Sequence, residues 1–244
     1  MIRPVQPTPI IEADDICKTY YMAGGMSQSV LKHVSFCVNA GDFVAIMGHS
    51  GSGKSTLMNI LGCLDRPTGG AYRLNGKSVS DKTDAELARI RGQEIGFVFQ
   101  NFNLLMKRTI ADNVSMPLIY QGVPEKERYE RAVDMLHQVQ LDGYQDRLPM
   151  QISGGMQQRV AIARALINHP KIIFADEPTG NLDSTTSDEI MNLFTELNKQ
   201  GITIVLVTHE DDVADYAKRM IKIGDGQKVY DGLRSAYTGK DEPC

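Results

Sequence analysis

An α/β fold built on a largely parallel sheet is predicted for this chain by three observations in its 244 residues. Residues 42–47 form a near-continuous apolar run, as expected of a strand covered on both faces, and lead straight into a glycine cluster and then a helical stretch at 55–61. From residue 156 onward helical and strand patterns alternate, which calls for parallel strands with helices on both faces. Between these parts, residues 101–156 carry helical periodicity and no strand of their own. The expected plan is one domain over 1–244, with a core formed by 1–100 and 157–244, an antiparallel β subdomain in its first third, and an inserted helical subdomain at 101–156.

Taken in order, residues 9–16 and 34–38 read as an antiparallel edge that feeds the buried strand 42–47, with Ala40-Gly41 between the last two. Strands at 71–74 and 77–79 flank Asn75-Gly76, the dipeptide that best tolerates positive φ at both central turn positions. Thr83-x-x-Glu86 offers a capping box for a helix at 84–91, and 95–99 is a further strand. Pro124 suits a first helical turn, and Tyr129, Ala132, Val133, Leu136 and Val139 fall on one apolar stripe. A helix from Met156 through Leu166, a strand at 171–175, a helix from Asp183 and a strand at 203–207 follow, then a hairpin around Asp225-Gly226 and a polar tail. No internal repeat is visible.

Composition narrows the function. Hydrophobic residues make up 42% and charged residues 23%, enough for a core and no case for overall disorder. The 26 basic and 30 acidic residues leave a formal charge of −4, which argues against a broad grip on nucleic acid. Any phosphate partner is expected to be small and locally bound. No stretch approaches the roughly 18–20 apolar residues of a membrane-spanning helix, so the chain is not expected to cross a bilayer. Met1 to Pro9 lacks the apolar core of a secretory signal and reads as an unprocessed cytosolic tail. Cys17, Cys37, Cys63 and Cys244 are scattered without a C-x-x-C pair, which suggests neither a disulfide framework nor a zinc site.

The glycine cluster is specific. Gly48-His49-Ser50-Gly51-Ser52-Gly53-Lys54-Ser55 matches G-x-x-x-x-G-K-[ST], a match expected by chance on the order of once in a hundred such chains. Its context of strand before and helix after predicts a P-loop NTPase (RecA-like) core, because the loop works where a helix N-terminus turns unpaired N–H groups toward an anion. Backbone amides from His49 to Thr56 would wrap the phosphates, Lys54 would supply a point charge, and the Ser55 hydroxyl would ligate Mg²⁺. The strand at 171–175 ends in Asp176-Glu177, at the edge where α/β sheets bind ligands. Asp176 is read as the metal-holding carboxylate and Glu177 as the group that polarises the attacking water.

Several further motifs resemble ATP-binding cassette (ABC) proteins. Ile152-Ser153-Gly154-Gly155-Met156-Gln157-Gln158-Arg159 is similar to the family signature, Gln100 to its Q-loop, Gly180-Asn181-Leu182-Asp183 to its D-loop, and His209 to its switch histidine. The segments Ile46-Met47-Gly48 and 57–68, with 176–183, further resemble the macrolide-export and lipoprotein-release group (MacB-like and LolD-like). The resemblance covers nearly the whole chain in the right order. It implies an ATPase subunit, at the inner face of the cell membrane, that drives an integral membrane permease. It implies ATP and Mg²⁺ as ligands, and a homodimer on ATP binding in which each nucleotide lies between one copy's loop and the other copy's Ser153, Gly154, Gly155 and Met156. His209 would then contact the γ-phosphate, Gln100 and Asp176 would join Ser55 around the metal, and Asp183 would link the two sites. Tyr20 stands where the family places an adenine-stacking aromatic, a role the adjacent Tyr21 could also take.

Two departures matter. The family signature reads Leu-Ser-Gly-Gly-Gln, so Ile152 keeps apolar bulk while Met156 removes an amide able to hydrogen-bond the partner's nucleotide. Met106-Lys107-Arg108 replaces the loop sequence that relatives carry after the Q-loop. An alternative within the same cassette is a regulatory ATPase of the cell-division type. Nucleic-acid maintenance or translation ATPases would need a long coiled-coil insertion or a second cassette, and 244 residues hold neither.

Overall fold

The computed structural model describes residues 9–22 and 24–238; the expected cytosolic tail before Pro9, the end of the polar tail and Cys244 lie outside these residues. Two sheets organise the chain. An antiparallel sheet is built from β1 (Pro9–Tyr21), β2 (Ser27–Asn39), β4 (Gly69–Leu74) and β5 (Lys77–Ser78) in the order β2-β1-β4-β5. The second sheet contains β3 (Phe43–Met47), β6 (Ile95–Phe99), β7 (Ile172–Asp176), β8 (Thr203–Val207), β9 (Arg219–Gly224) and β10 (Gln227–Leu233), ordered β10-β9-β3-β8-β7-β6. All its neighbours pair in parallel except β9 and β10. The helices are α1 (Lys54–Leu61), α2 (Asp84–Glu94), α3 (Ile110–Ile119), α4 (Glu125–Gln138), α5 (Gly154–Leu166), α6 (Ser184–Lys199) and the short α7 (Asp211–Ala214).

Alternation along β3 explains why this strand lies at the centre. Phe43, Ala45 and Met47 join a core with α3, α4, α5 and α6, while Val44 and Ile46 join a second core with α1, Leu87 of α2 and the antiparallel sheet. All five residues are buried, so the apolar run meets a layer on each face. Burying each of its larger side chains contributes about 1.5–3 kcal/mol before entropy is counted. Within residues 101–156 the described backbone holds α3, α4, a 3-10 turn at Pro149–Gln151 and the first turn of α5, but no strand.

Strands β6 and β8 run over the expected residues, and Thr83 and Glu86 form the expected capping box on α2. Two differences are instructive. Helix α5 starts at Gly154, not Met156, because the Ser153 hydroxyl accepts the Met156 N–H and caps a turn that two glycines would otherwise leave weak. Strands β1 and β2 each run 13 residues, well beyond 9–16 and 34–38. Register shifts at 13–16 and 16–18 break their period of two, which hides their length from pattern reading.

The parallel register brings the C-terminal ends of β3, β6, β7 and β8 to one edge. Main-chain bonds lock the turns that leave it: Thr208 N–H donates to Ile46 O, Glu177 N–H to Val207 O, and Gly226 N–H to Ser52 O. Everything that follows from these strand ends inherits their rigidity.

Candidate functional site

A cavity of about 1030 Å³ opens at that edge. Residues 48–51 and 53–56 line it together with Asp176, Glu177 and His209. The glycines are required by space as well as by conformation. A Cβ on Gly48 would lie 2.2 Å from Ile223 O and 2.6 Å from Ser52 Oγ. Gly53 caps α1 with φ 107 and no side-chain bond, and no acidic side chain stands in the first turn. The N–H groups of that turn are therefore left for an external anion. Ser52 is 1% exposed and its Oγ has no hydrogen-bond partner, an orphan polar atom inside the loop.

Lys54 is buried, and its ammonium donates to Gly48 O at 2.7 Å and His49 O at 3.0 Å. Burial holds this amine below its ordinary pKa, against the opposing pull of Glu177 and Asp176. Asp176, at the end of β7, is pushed the other way: burial raises its carboxyl, the adjacent Glu177 adds to this, and Lys54 offsets part of it. A hard cation between Ser55 and Asp176 would relieve that penalty, and both groups offer the oxygen donors Mg²⁺ prefers. The orphan hydroxyl, the uncapped helix start and the Cβ-free turn fit a phosphate chain equally well.

Glu177 adopts φ 43, an uncommon conformation for a side-chain-bearing residue that costs about 1–3 kcal/mol. Its N–H bond to Val207 O and the Gly180 N–H bond to its carbonyl hold it there. His209 Nδ1–H donates to Glu177 Oε1 at 2.7 Å, which joins the ends of β7 and β8 through their side chains. Exposed His49 sits at the rim, with Nε2 3.5 Å from Asp225.

Ser153, Gly154, Gly155 and Met156 do not line this cavity; Ser153 is exposed at the start of α5. Gly155 lets α5 press against α6, since a Cβ there would lie 2.3 Å from Thr186 Cγ2. Asp183 caps α6 and accepts from the Thr186 N–H and hydroxyl, bonds that hold its carboxyl below the usual range. Met156 packs partly against the main core. Gln100 also stands outside the cavity lining, with its amide over Gly180, where a Cβ would meet Nε2 at 2.6 Å. Tyr20 is likewise outside: its hydroxyl donates to Asp65 Oδ2 at 3.0 Å and its ring lies 4.9 Å from Lys18 Nζ.

Sequence reasoning missed two groups of residues. Gln28 and Val30 from β2, with Met220, Lys222 and Tyr237, complete the cavity wall. Nothing in their spacing marks them: Gln28 and Val30 come from an edge strand of the antiparallel sheet, Met220 and Lys222 from β9 beside β3, and Tyr237 from the segment after β10. The second group ties α5 to its surroundings. Arg164 Nη1 and Nη2 donate to Asn103 O and Phe102 O, at 2.6 and 2.7 Å, and both acceptor residues have positive φ. Buried Gln158 donates to Pro178 O at 2.6 Å; separately, Asn181 donates to Gln100 O at 3.0 Å and joins the loops after β7 and β6. A guanidinium 10 residues inside a helix gives no sign in sequence of the loop it holds.

Comparison with known proteins agrees with this arrangement. A family model described as ABC transporter matches residues 31–180. The chain is 54% identical over 220 residues to the macrolide export ATP-binding/permease protein MacB of Syntrophobacter fumaroxidans, covering 89% of this chain and 31% of that protein. It is 50% identical over 220 residues to the ABC transporter ATP-binding protein YknY of Bacillus subtilis, covering 90% and 95%. It thus spans about a third of the MacB relatives and nearly all of YknY. A dimeric structure of the ATP-binding cassette MJ0796 in a post-hydrolysis state, bound to ADP and Pi, superposes with a TM-score of 0.84 at 44% identity, covering 93% of this chain and 100% of that one.

Proposed function

The chain belongs to the ABC transporter family and has the fold of its ATPase cassette, and from that premise we propose that it hydrolyses ATP as the motor subunit of a membrane permease, two copies closing around shared nucleotides. The observation that carries this reading is the separation of Ser153 from a cavity that already holds the loop, both carboxylates and His209. One copy owns half of a site. An exposed Ser153 hydroxyl and the α5 amides behind it form a second anion-binding corner, available to another copy's nucleotide.

Within one copy, the α1 amides and Lys54 bind and orient the phosphates; the ammonium would exchange its bonds to Gly48 O and His49 O for phosphate oxygens. Ser55 and Asp176 would hold Mg²⁺, which would supply positive charge against the charge that develops on the phosphates. Glu177 orients and deprotonates the attacking water, and His209 steadies the Glu177 carboxylate and the γ-phosphate. Gln100 reaches the metal only after the helical region swings inward, and Asp183 stands at the interface between copies. Tyr20 would support the adenine ring once released from Asp65. Loss of the terminal phosphate removes the bridge between copies and lets them part.

A permease partner is supported by a groove between α2 and α3, lined by Ala88, Met116, Pro117 and Tyr120 with Arg89 and Arg91 at its edge. Tyr120 is 86% exposed there and Ile119 beside it 52% exposed, surface that a partner helix could cover. The described residues include no helix long and apolar enough to cross a membrane. The proposed setting is the inner face of the cytoplasmic membrane, on a cytoplasmic segment of the permease.

Replacing Glu177 with Gln tests the assigned chemistry. ATP turnover is expected to fall by roughly 10²–10⁴-fold with nucleotide affinity retained. A variant that turns over ATP near the parent rate contradicts the assignment.

A further inference from the structure

Away from the cavity, three side chains with metal-binding chemistry meet on one face of the β1–β2 pair: Asp15, Cys17 and His33. Two bulges bring them together. Between the pairs Ala13↔Phe36 and Ile16↔Val34, Asp14 and Asp15 oppose Ser35 alone; between Ile16↔Val34 and Lys18↔Leu31, Lys32 and His33 oppose Cys17 alone. The extra residue lies first on one strand and then on the other, and Asp15 and His33 both adopt φ 56. Bulges re-aim side chains, and here they set the His33 ring against both the Asp15 carboxylate and the Cys17 thiol.

We propose that Asp15, Cys17 and His33 form a binding site for a zinc-class divalent ion, with water as the fourth ligand. His33 Nδ1 lies 3.7 Å from Cys17 Sγ and 2.8 Å from Asp15 Oδ1, and the three donor atoms all lie within 4.8 Å of one another. Tetrahedral coordination with ordinary Zn–S, Zn–N and Zn–O bonds requires about 3.6 Å between sulfur and nitrogen and about 3.4 Å between nitrogen and oxygen. The first separation already fits, and the second needs a side-chain shift of roughly half an ångström. Mixed thiolate, imidazole and carboxylate donors select zinc-like ions over Mg²⁺ or Ca²⁺.

The supporting bonds are in place. His33 N–H donates to Cys17 Sγ at 3.4 Å, and Asp15 N–H donates to Ser35 Oγ at 2.8 Å, which orients both bulges. On binding, the thiol releases its proton to solvent, and the His33 proton shared with Asp15 moves to Nε2 as Nδ1 takes the ion. The ion would then cross-link two strands of the antiparallel sheet where bulges interrupt their pairing. No C-x-x-C spacing announces such a site, because one ligand comes from the neighbouring strand.

Cobalt titration of the full chain without nucleotide tests this. One Co²⁺ per chain is expected to bind with thiolate-to-metal charge-transfer absorption and to be displaced by one equivalent of Zn²⁺. Cys17→Ser should abolish the charge-transfer band, and His33→Ala and Asp15→Asn should weaken binding at least about tenfold. Cys37→Ser and Cys244→Ser should leave it unchanged. Zinc should raise the melting temperature of the parent and not that of Cys17→Ser. A chain that develops no stoichiometric thiolate–cobalt spectrum, or a band that survives Cys17→Ser, overturns the proposal.

Discussion

The loop cavity and the start of helix α5, the two anion-binding corners proposed above, both lie at helix N-termini, yet they are held in place by different means. The cavity grows from the ends of buried parallel strands, and main-chain bonds from Thr208, Glu177 and Gly226 fix its turns. The α5 corner is attached through side chains: Arg164 to the carbonyls of Phe102 and Asn103, and Gln158 to Pro178 O. Main-chain ladders cannot be altered one by one, whereas side-chain links can break and re-form as a unit turns. The difference assigns chemistry to the rigid corner and motion to the adjustable one.

The largest expected effect comes from damaging the rigid corner. In Gly48→Val, branched methyls add to a Cβ that already collides with Ile223 O, and the main chain of β9 cannot yield. Overpacking of this kind costs about 1–3 kcal/mol or more, and it pushes the loop off its phosphate contacts. Nucleotide binding, followed by calorimetry, should be lost; wild-type affinity would show that the loop is not the binding element.

Next in size is the loss of the Arg164 link. Burial already holds this guanidinium below its ordinary pKa, and its two bonds to main-chain carbonyls offset that burial. Arg164→Ala should destabilise the chain by about 1.5–3 kcal/mol, or about 3–12 °C in Tm for a domain of this size. Nucleotide affinity of the single chain should stay within about threefold, because no cavity residue is touched. If affinity falls as steeply as stability, the two corners are not mechanically separate.

The smallest effect is expected at Met156. Its side chain packs partly against the main core, so Met156→Gln gives up some apolar contact and gains an amide facing the partner's nucleotide. A two- to fivefold gain in ATP-dependent association is the outcome, on the order of 0.5–1 kcal/mol for one added hydrogen bond. No change would mean that this position carries no contact between copies.

How much of this was legible in sequence follows the same division. Strands at 95–99 and 203–207, the loop, Asp176 and Glu177 were readable because each is a local pattern: an apolar run, a glycine spacing, an acidic residue at a strand end; His209 was reached only through the family resemblance. What escaped depends on other strands. Gln28 and Val30 reach the cavity from an edge strand of the other sheet, and Arg164 holds a loop 61 and 62 residues away. The lengths of β1 and β2, and the meeting of Asp15, Cys17 and His33, were hidden by paired bulges that break the period of two. Gln100 and Tyr20 sit apart from the cavity, held by Gly180 packing and by Asp65.

The central claim, that two copies share each nucleotide, is tested most directly by light scattering of the Glu177→Gln chain with and without Mg-ATP. That chain is expected to run as a dimer only with nucleotide. Adding Ser153→Arg should leave it monomeric while each copy still binds one ATP. A dimer that persists with Arg at position 153, or an ATP-saturated Glu177→Gln chain that stays monomeric, contradicts the account.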